Sequence, residues 1–289
     1  MTRNEFLKGG LAGLLMMTSL KDFAKKVSSM PAGPRMPVLF VGHGSPMNAI
    51  EDNEFSLRWS AMGKEIHPPV AILCISAHWY VRGTYVTAMD FPKTIHDFGG
   101  FPQALFEATY PAPGSPELAG DISNLITGTQ VELDHEWGLD HGTWSVTKQM
   151  YPDAEIPVLQ LSIDYSKPAS WHYNLARELN ILRDKGVLII GSGNMVHNLR
   201  MLDWNMADRG FDWAIELNDK FKQDILSNNV AGLTNYESYG SAGKMAIPTP
   251  DHYLPLLYSM GLRTDKDEIS FFNDKAVMGS ITMTSVKFG

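Results

Sequence analysis

The chain has 289 residues, 44% hydrophobic and 19% charged, the balance of an ordinary globular protein with room for one large α/β domain or two small ones. A formal net charge of −8 with no long Lys/Arg block argues against nucleic acid as a partner. A single cysteine, Cys74, excludes an intrachain disulfide framework; lying within an apolar run, it reads as a buried, inert thiol.

Residues 1–35 differ from the rest. "TRNEFLK" precedes the apolar "GGLAGLLMMTSL", which is too short to span a bilayer as a helix and is followed by "KDFAKK" and "SSMPAGPR". A basic start, a short apolar middle and a polar tail have the order of an export signal, here similar to a twin-arginine leader with Asn4 at the second arginine. Two locations follow: cytoplasmic, with 1–35 a leader-like or flexible arm, or periplasmic through a degenerate leader. Nothing later is long and apolar enough to predict a membrane span.

From residue 36 onward the chain reads as one domain without linker or repeat. Apolar runs without alternation at 37–41, 70–76, 156–163 and 187–190 predict strands buried on both faces of a parallel sheet. Helices are predicted at 116–127, behind the cap Ser115 and Pro116; at 170–185, with Trp171, Leu175, Leu179 and Leu182 on one face and Gly186 closing it; at 211–228; and at 251–260, stopped by Gly261. The terminal "MGSITMTSVKF" alternates like a half-exposed strand. The alternation of strand and helix predicts an α/β sheet, mostly parallel, with helices on both faces.

Ligands of such sheets bind at the carboxyl ends of strands. "VLFVGHGSP" delivers His43 and "AILCISAHW" delivers His78 just past a buried run, so parallel neighbours would present both imidazoles on one rim. His197 follows the strand and glycine turn of "GVLIIGSGNMVHN", His252 opens the helix of "PTPDHYLPLLY", and His141 lies in "GLDHGTW". Polar rings at apolar strand ends need partners, and a metal would satisfy them. "GSGN" lacks the third glycine of a dinucleotide fingerprint, and Ser45 is not the centre of a G-x-S-x-G elbow.

Together "MPVLFVGHGSPMNAIEDN", "ISAHW", "IHDFGGFPQALFEATYPAPGSPELA", "LDHGTWSV", "QLSID", "GSGNMVHNLR" and "PTPDHYLPLLY" resemble the class III extradiol ring-cleavage dioxygenases, in particular the bacterial DOPA 4,5-dioxygenase type. The resemblance implies a single-domain three-layer α/β/α sandwich over 36–289 and one divalent metal. It implies His43, His78 and His252 as metal ligands. His197 is a fourth ligand or the base that takes a catechol proton, and His141 contacts substrate and dioxygen. It implies a catechol-type aromatic and O2 as substrates, Fe2+ for turnover, and Zn2+, which has no redox chemistry, as the ion found on isolation.

Other residues are read more plainly. His96 and Asp97 of "IHDFGGFP" fall in one of these motifs, where Gly99, Gly100 and Pro102 suggest a shaped loop near the pocket mouth, but they read first as a structural turn; His67 and His135 read as surface, and His172 as packing or capping. Asp251 could orient a neighbouring ligand. Trp79, Phe98, Phe101, Trp144 and Tyr253 could line a flat pocket or pack in the core. Two alternatives stay open: a zinc hydrolase using metal-bound water with His197 as base, and a non-catalytic metal-binding relative.

Overall fold

The computed structural model describes residues 35–289, so the leader-like reading of the N-terminus lies outside the described residues except at Arg35. The predicted apolar runs form the sheet's parallel core: β1 (Val38–Gly42), β2 (Ala71–Ser76), β3 (Val158–Gln160) and β4 (Val187–Gly193). Two further strands, β5 (Ile269–Phe272) and β6 (Ser285–Phe288), complete the order β3-β2-β4-β1-β6-β5. The first four are mutually parallel, and β6 runs antiparallel to both β1 and β5.

Strand parity makes the three layers. Val38 and Phe40 of β1, Leu73 and Ile75 of β2, and Val187 and Ile189 of β4 join one apolar cluster. They pack there with Leu175 of α3 (Ala169–Glu178), Phe221 of α4 (Asp212–Leu226) and Leu257 of α5 (Leu254–Leu262). The alternate residues Leu39, Val41, Ile72, Cys74, Leu188 and Ile190 join the other cluster. That cluster holds Trp59 of α1 (Glu54–Glu65) and Trp144 of α2 (His141–Met150). Helices therefore cover both faces, and the strands read as unbroken apolar runs because neither face meets water. Cys74 is buried and unpaired, as expected.

Several elements depart from the sequence reading. The 170–185 helix is α-helical to Glu178 and then tightens to a 3-10 segment, Leu179–Lys185, ended by the left-handed Gly186. Gly261 does not stop α5, which runs to Leu262; a Cβ there would lie 2.3 Å from Tyr173 O, so this glycine lets two helices touch. The run 156–163 divides: β3 enters the main sheet, while Ile163–Asp164 pairs with Tyr80–Val81. The terminal segment is buried rather than half-exposed, because Ile281–Thr282 and β6 are covered on both sides. No helix among the described residues is long and apolar enough to cross a membrane.

Candidate metal centre

The rim is built by register. Gly42 lies opposite Gly193, and Ser76 opposite Ser192, so β1, β2 and β4 finish together. β1 and β2 are not neighbours, as the sequence reading had them: β4 lies between, and both following residues bond to its end. His43 N donates to Gly193 O (3.1 Å) and Ala77 N to Ser192 O (2.9 Å). Gly191-Ser192-Gly193 is strand rather than turn; Gly191 admits α5 and Gly193 the loop before it. A Cβ on Gly193 would lie 2.1 Å from His252 O, the same carbonyl that accepts from Asn194 N at 2.9 Å. The missing side chain thus seats the backbone of His252 directly on β4.

All five expected histidines converge. Ring centroids of His43, His78 and His252 form a near-equilateral triangle, with sides 5.1 Å (43–78), 5.3 Å (43–252) and 5.0 Å (78–252). Imidazoles sharing an ion at about 2.1 Å per nitrogen would have centroids roughly 5 Å apart, so the spacing of these three rings is compatible with one metal, though the nitrogens are grouped differently. Two closer pairs flank it. His141 lies 3.8 Å from His78 and His197 3.6 Å from His252, the latter stacked at 9°. Parallel rings stacked so close cannot both contain one ion in their planes. Ring nitrogens of His43, His78 and His141 also lie within 4.8 Å of one another, closer grouping for His141 than the sequence implied.

Hydrogen bonds fix which nitrogen is free. Ser192 Oγ donates to Gly142 O (2.5 Å), so it accepts from His43 Nδ1 at 3.0 Å. His78 Nδ1 faces Asp97 Oδ2 at 3.2 Å, and His252 Nδ1 donates to Asp251 Oδ2 at 2.5 Å, the orienting role expected of Asp251. Nδ1 partners of this kind for His43 and His252, and the Asp97 carboxylate facing His78, favour the tautomer with the proton on Nδ1 and Nε2 left as the lone-pair atom. The Nε2 atoms of His43 and His78 face each other at 3.2 Å. At that distance one ring can donate to the other, or both can offer lone pairs to a shared cation. Burial, reinforced by neighbouring imidazoles, holds His43 and His252 well below the ordinary imidazole pKa; burial lowers His78 and brings His197 to about 4. Neutral imidazoles are what a divalent transition metal requires.

Sequence reasoning missed Asp97, which it placed in a structural turn. Its two oxygens divide between two histidines: Oδ1 accepts from His141 N at 2.9 Å and lies 3.1 Å from His141 Nδ1, while Oδ2 faces His78. Burial raises its carboxyl pKa, but His141 and His78 more than offset this and hold it at about 2. Behind it, the buried Asp140 caps α2 and accepts from Ser76 Oγ (2.7 Å) and Gln160 Nε2 (2.6 Å), locking α2 to two strands.

A cavity of about 700 Å³ opens over the histidines. Phe98 and Phe101 line it, as expected, joined by Phe55, Trp204, Met278 and Met283. The other aromatics named from sequence do not: Trp79 stacks on Trp137, Trp144 Nε1 donates to Ile95 O, and Tyr253 Oη donates to Leu233 O. His67 and His135 are exposed. His172 is buried against Tyr258 Oη at 3.0 Å, and His96 bonds to Ala108 O, so neither joins the cluster.

Residues 37–289 match the family described as the catalytic LigB subunit of aromatic ring-opening dioxygenase. An Escherichia coli (strain K12) protein named 4,5-DOPA dioxygenase extradiol is 48% identical over 259 residues, covering 88% of this chain and 95% of that protein. A Beta vulgaris protein of the same name is 36% identical over 255 residues, covering 86% and 95%. A crystal structure of an uncharacterized Escherichia coli K12 protein superposes with a TM-score of 0.75 at 43% identity, covering 88% of this chain and 100% of that one.

Proposed function

The chain belongs to the family of catalytic LigB subunits of aromatic ring-opening dioxygenases, and from that premise we propose how its histidines divide the work and which catechol they take. It is a metal-dependent extradiol dioxygenase, an oxidoreductase acting on an aromatic substrate with O2. His43, His78 and His252 hold the metal through Nε2, with Fe2+ the ion of turnover and Zn2+ the ion readily picked up on purification. The observation that carries this assignment is the trio of anchored Nδ1 atoms around a triangle of one-metal dimensions.

Bound there, the ion would supply Lewis acidity toward the catechol diol and, as Fe2+, electrons that zinc cannot share. The remaining tasks fall to the chain. His197, neutral and stacked beside the ligand triangle, accepts a catechol hydroxyl proton. His141, its Nδ1 side against Asp97, is left with Nε2 as the atom that hydrogen-bonds to dioxygen. Phe98 and Phe101 confine the ring. Both oxygen atoms enter the product, and the ring C–C bond beside the diol breaks to give a yellow semialdehyde acid. By similarity to the named relatives, the catechol is DOPA-like.

The test is anaerobic reconstitution with Fe2+, then oxygen uptake and product absorbance with a set of catechols beginning with L-DOPA. Stoichiometric O2 consumption with a yellow product is expected. Ester or amide hydrolysis without O2 would replace this reading with a zinc hydrolase. Catechols that neither bind nor react would leave a non-catalytic relative.

A further inference from the structure

The cavity over the histidines changes character from floor to mouth. At the floor His43, His141 and His252 are buried, and Phe98 meets His141 edge-on with ring centroids 5.6 Å apart. At the mouth the lining is apolar and open to water: Leu199 is 59% exposed and Trp204 77%. Large apolar side chains left in water on the rim of a cavity mark a surface that something covers. The wall that carries them is fixed. The segment bearing His197 continues into Asn198, whose N donates to Ser280 O (3.1 Å), whose O accepts from Ser280 Oγ (2.7 Å) and whose Nδ2 donates to Met245 O (2.8 Å). Leu199 therefore starts from an anchored residue. Trp204 opens the Trp204–Met206 turn, which Asp203 caps. Met278, itself part of the lining, clamps that turn at both ends: Asp203 N donates to Met278 O (3.0 Å) and Met278 N to Met206 O (2.8 Å). Its φ of 51° is left-handed, a conformation that a side chain of this size adopts only where its surroundings impose it. Among the described residues no lysine or arginine lines the cavity, and its rim carboxylates Glu54 and Asp208 are already paired with Lys275 outside it, at 2.5 and 3.0 Å.

We propose that the Leu199–Trp204 wall is a subsite for a neutral aromatic substituent, so that the chain takes aryl-substituted catechols as a second substrate class, with Trp204 the residue that selects them; this rests on reading the chain as a catechol dioxygenase. A diol held at the floor turns the opposite edge of its ring, and any group on that edge, toward the mouth. The cavity's volume of about 700 Å³ lies in the range of about 300–1,000 Å³ that holds drug-sized ligands, more than a single ring fills. A second ring would take Leu199 and the indole face of Trp204 out of water, and contact between two aromatic rings adds stabilisation beyond the area buried. Because both side chains sit on anchored backbone, little ordering is lost when the ligand arrives. A charged substituent finds no free opposite charge on this wall and is left in water at the open rim.

The test uses the full chain and two catechols with the same diol, 4-methylcatechol and 4-benzylcatechol. Anaerobic calorimetry on the zinc-loaded protein gives affinity and heat-capacity change without turnover, and oxygen uptake on the Fe2+-loaded protein gives KM and kcat. The benzyl compound should bind about tenfold tighter than the methyl compound and with the more negative heat-capacity change, the mark of extra apolar burial. Trp204→Ala should lower that affinity ratio by about fivefold and bring the two heat-capacity changes together, whereas Trp204→Phe should keep most of the preference. The effect should fall on KM rather than kcat. Ratios within one variant cancel any loss of folded or loaded protein. A wild-type ratio near one, or a ratio that Trp204→Ala does not move, would overturn the subsite while leaving the dioxygenase reading intact. An unmoved ratio together with a smaller mass for Trp204→Ala in light scattering would overturn it too, and would give the patch to a second copy of the chain. Failure to bind or cleave either catechol would remove both readings.

Discussion

Asp97→Asn is the sharpest probe of the site, because it changes charge and donor pattern while keeping shape. The carboxylate accepts from His141 N on Oδ1, and its Oδ2 faces His78 Nδ1 at 3.2 Å. An amide has only one acceptor. The backbone N–H of His141 cannot face an NH2 group, so the amide oxygen stays there and the NH2 turns toward His78. His78 must then accept on Nδ1, which moves its proton to Nε2, the atom 3.2 Å from His43 Nε2. The substitution thus converts a proposed ligand nitrogen into a donor. Losing an orienting partner of a metal-bound histidine costs about 10–100-fold in affinity, roughly 1.4–2.8 kcal/mol, and the wrong tautomer places Asp97→Asn at the upper end. Asp97→Ala leaves His78 free to choose its tautomer, so it should bind metal better than Asp97→Asn. Competition with a chromophoric chelator measures both, with circular dichroism confirming the fold. Affinity of Asp97→Asn within twofold of wild type, or better than that of Asp97→Ala, would refute the tautomer argument.

Alanine at His43, His78 or His252 should each reduce metal stoichiometry sharply in elemental analysis, whereas His197→Ala should retain metal and lose oxygen uptake. Gly193→Ala should cost about 1–3 kcal/mol in urea denaturation, since its Cβ would press to 2.1 Å on the His252 carbonyl, and the displaced His252 should lower metal affinity with it. His172, buried beside Tyr258, has its pKa lowered to about 4 by burial. The unfolded chain therefore takes up that proton first, near 6.5, so stability is full above pH 6.5 and drains as pH falls through about 4. The loss is about 3 kcal/mol, and His172→Gln should flatten that part of the denaturation-versus-pH curve.

The histidines were legible because each follows an unbroken apolar run or a Gly/Pro turn, and parallel strands must end on one side. Their pairing with one another was not. That β4 separates β1 from β2 is a fact of strand order, and local pattern carries no strand order. Asp97 was hidden for a similar reason: it lies in an extended loop with no period, and only the approach of His78 and His141 from distant segments gives it a role. Glycines misled in a consistent way. Gly191, Gly193 and Gly261 read as turn or stop signals, yet each stands inside an element where another backbone comes too close for a Cβ. The aromatics divided by a criterion sequence cannot supply. Trp79, Trp144 and Tyr253 spend their faces and polar tips on protein partners, while Phe98 and Phe101 keep theirs toward the cavity.

The same geometry says what the metal does not have to do. The backbones of His43, His197 and His252 are each hydrogen-bonded to other segments: His43 N donates to Gly193 O, His197 N donates to Ala246 O, and His252 O accepts from Asn194 N. His78 follows Ala77, whose N–H is bonded to Ser192 O. The rings of His43, His78 and His252 are then oriented by Ser192, Asp97 and Asp251. Rings held in this way need no loop to be ordered before they meet, so an ion bound among them would not consume its binding energy in folding the chain. This separates the centre from metal sites whose ligands come together only when the ion does. It also locates the cost of the arrangement: imidazoles withdrawn from water, with two Nε2 atoms 3.2 Å apart, held there by a sheet whose stability comes from the apolar layers beneath.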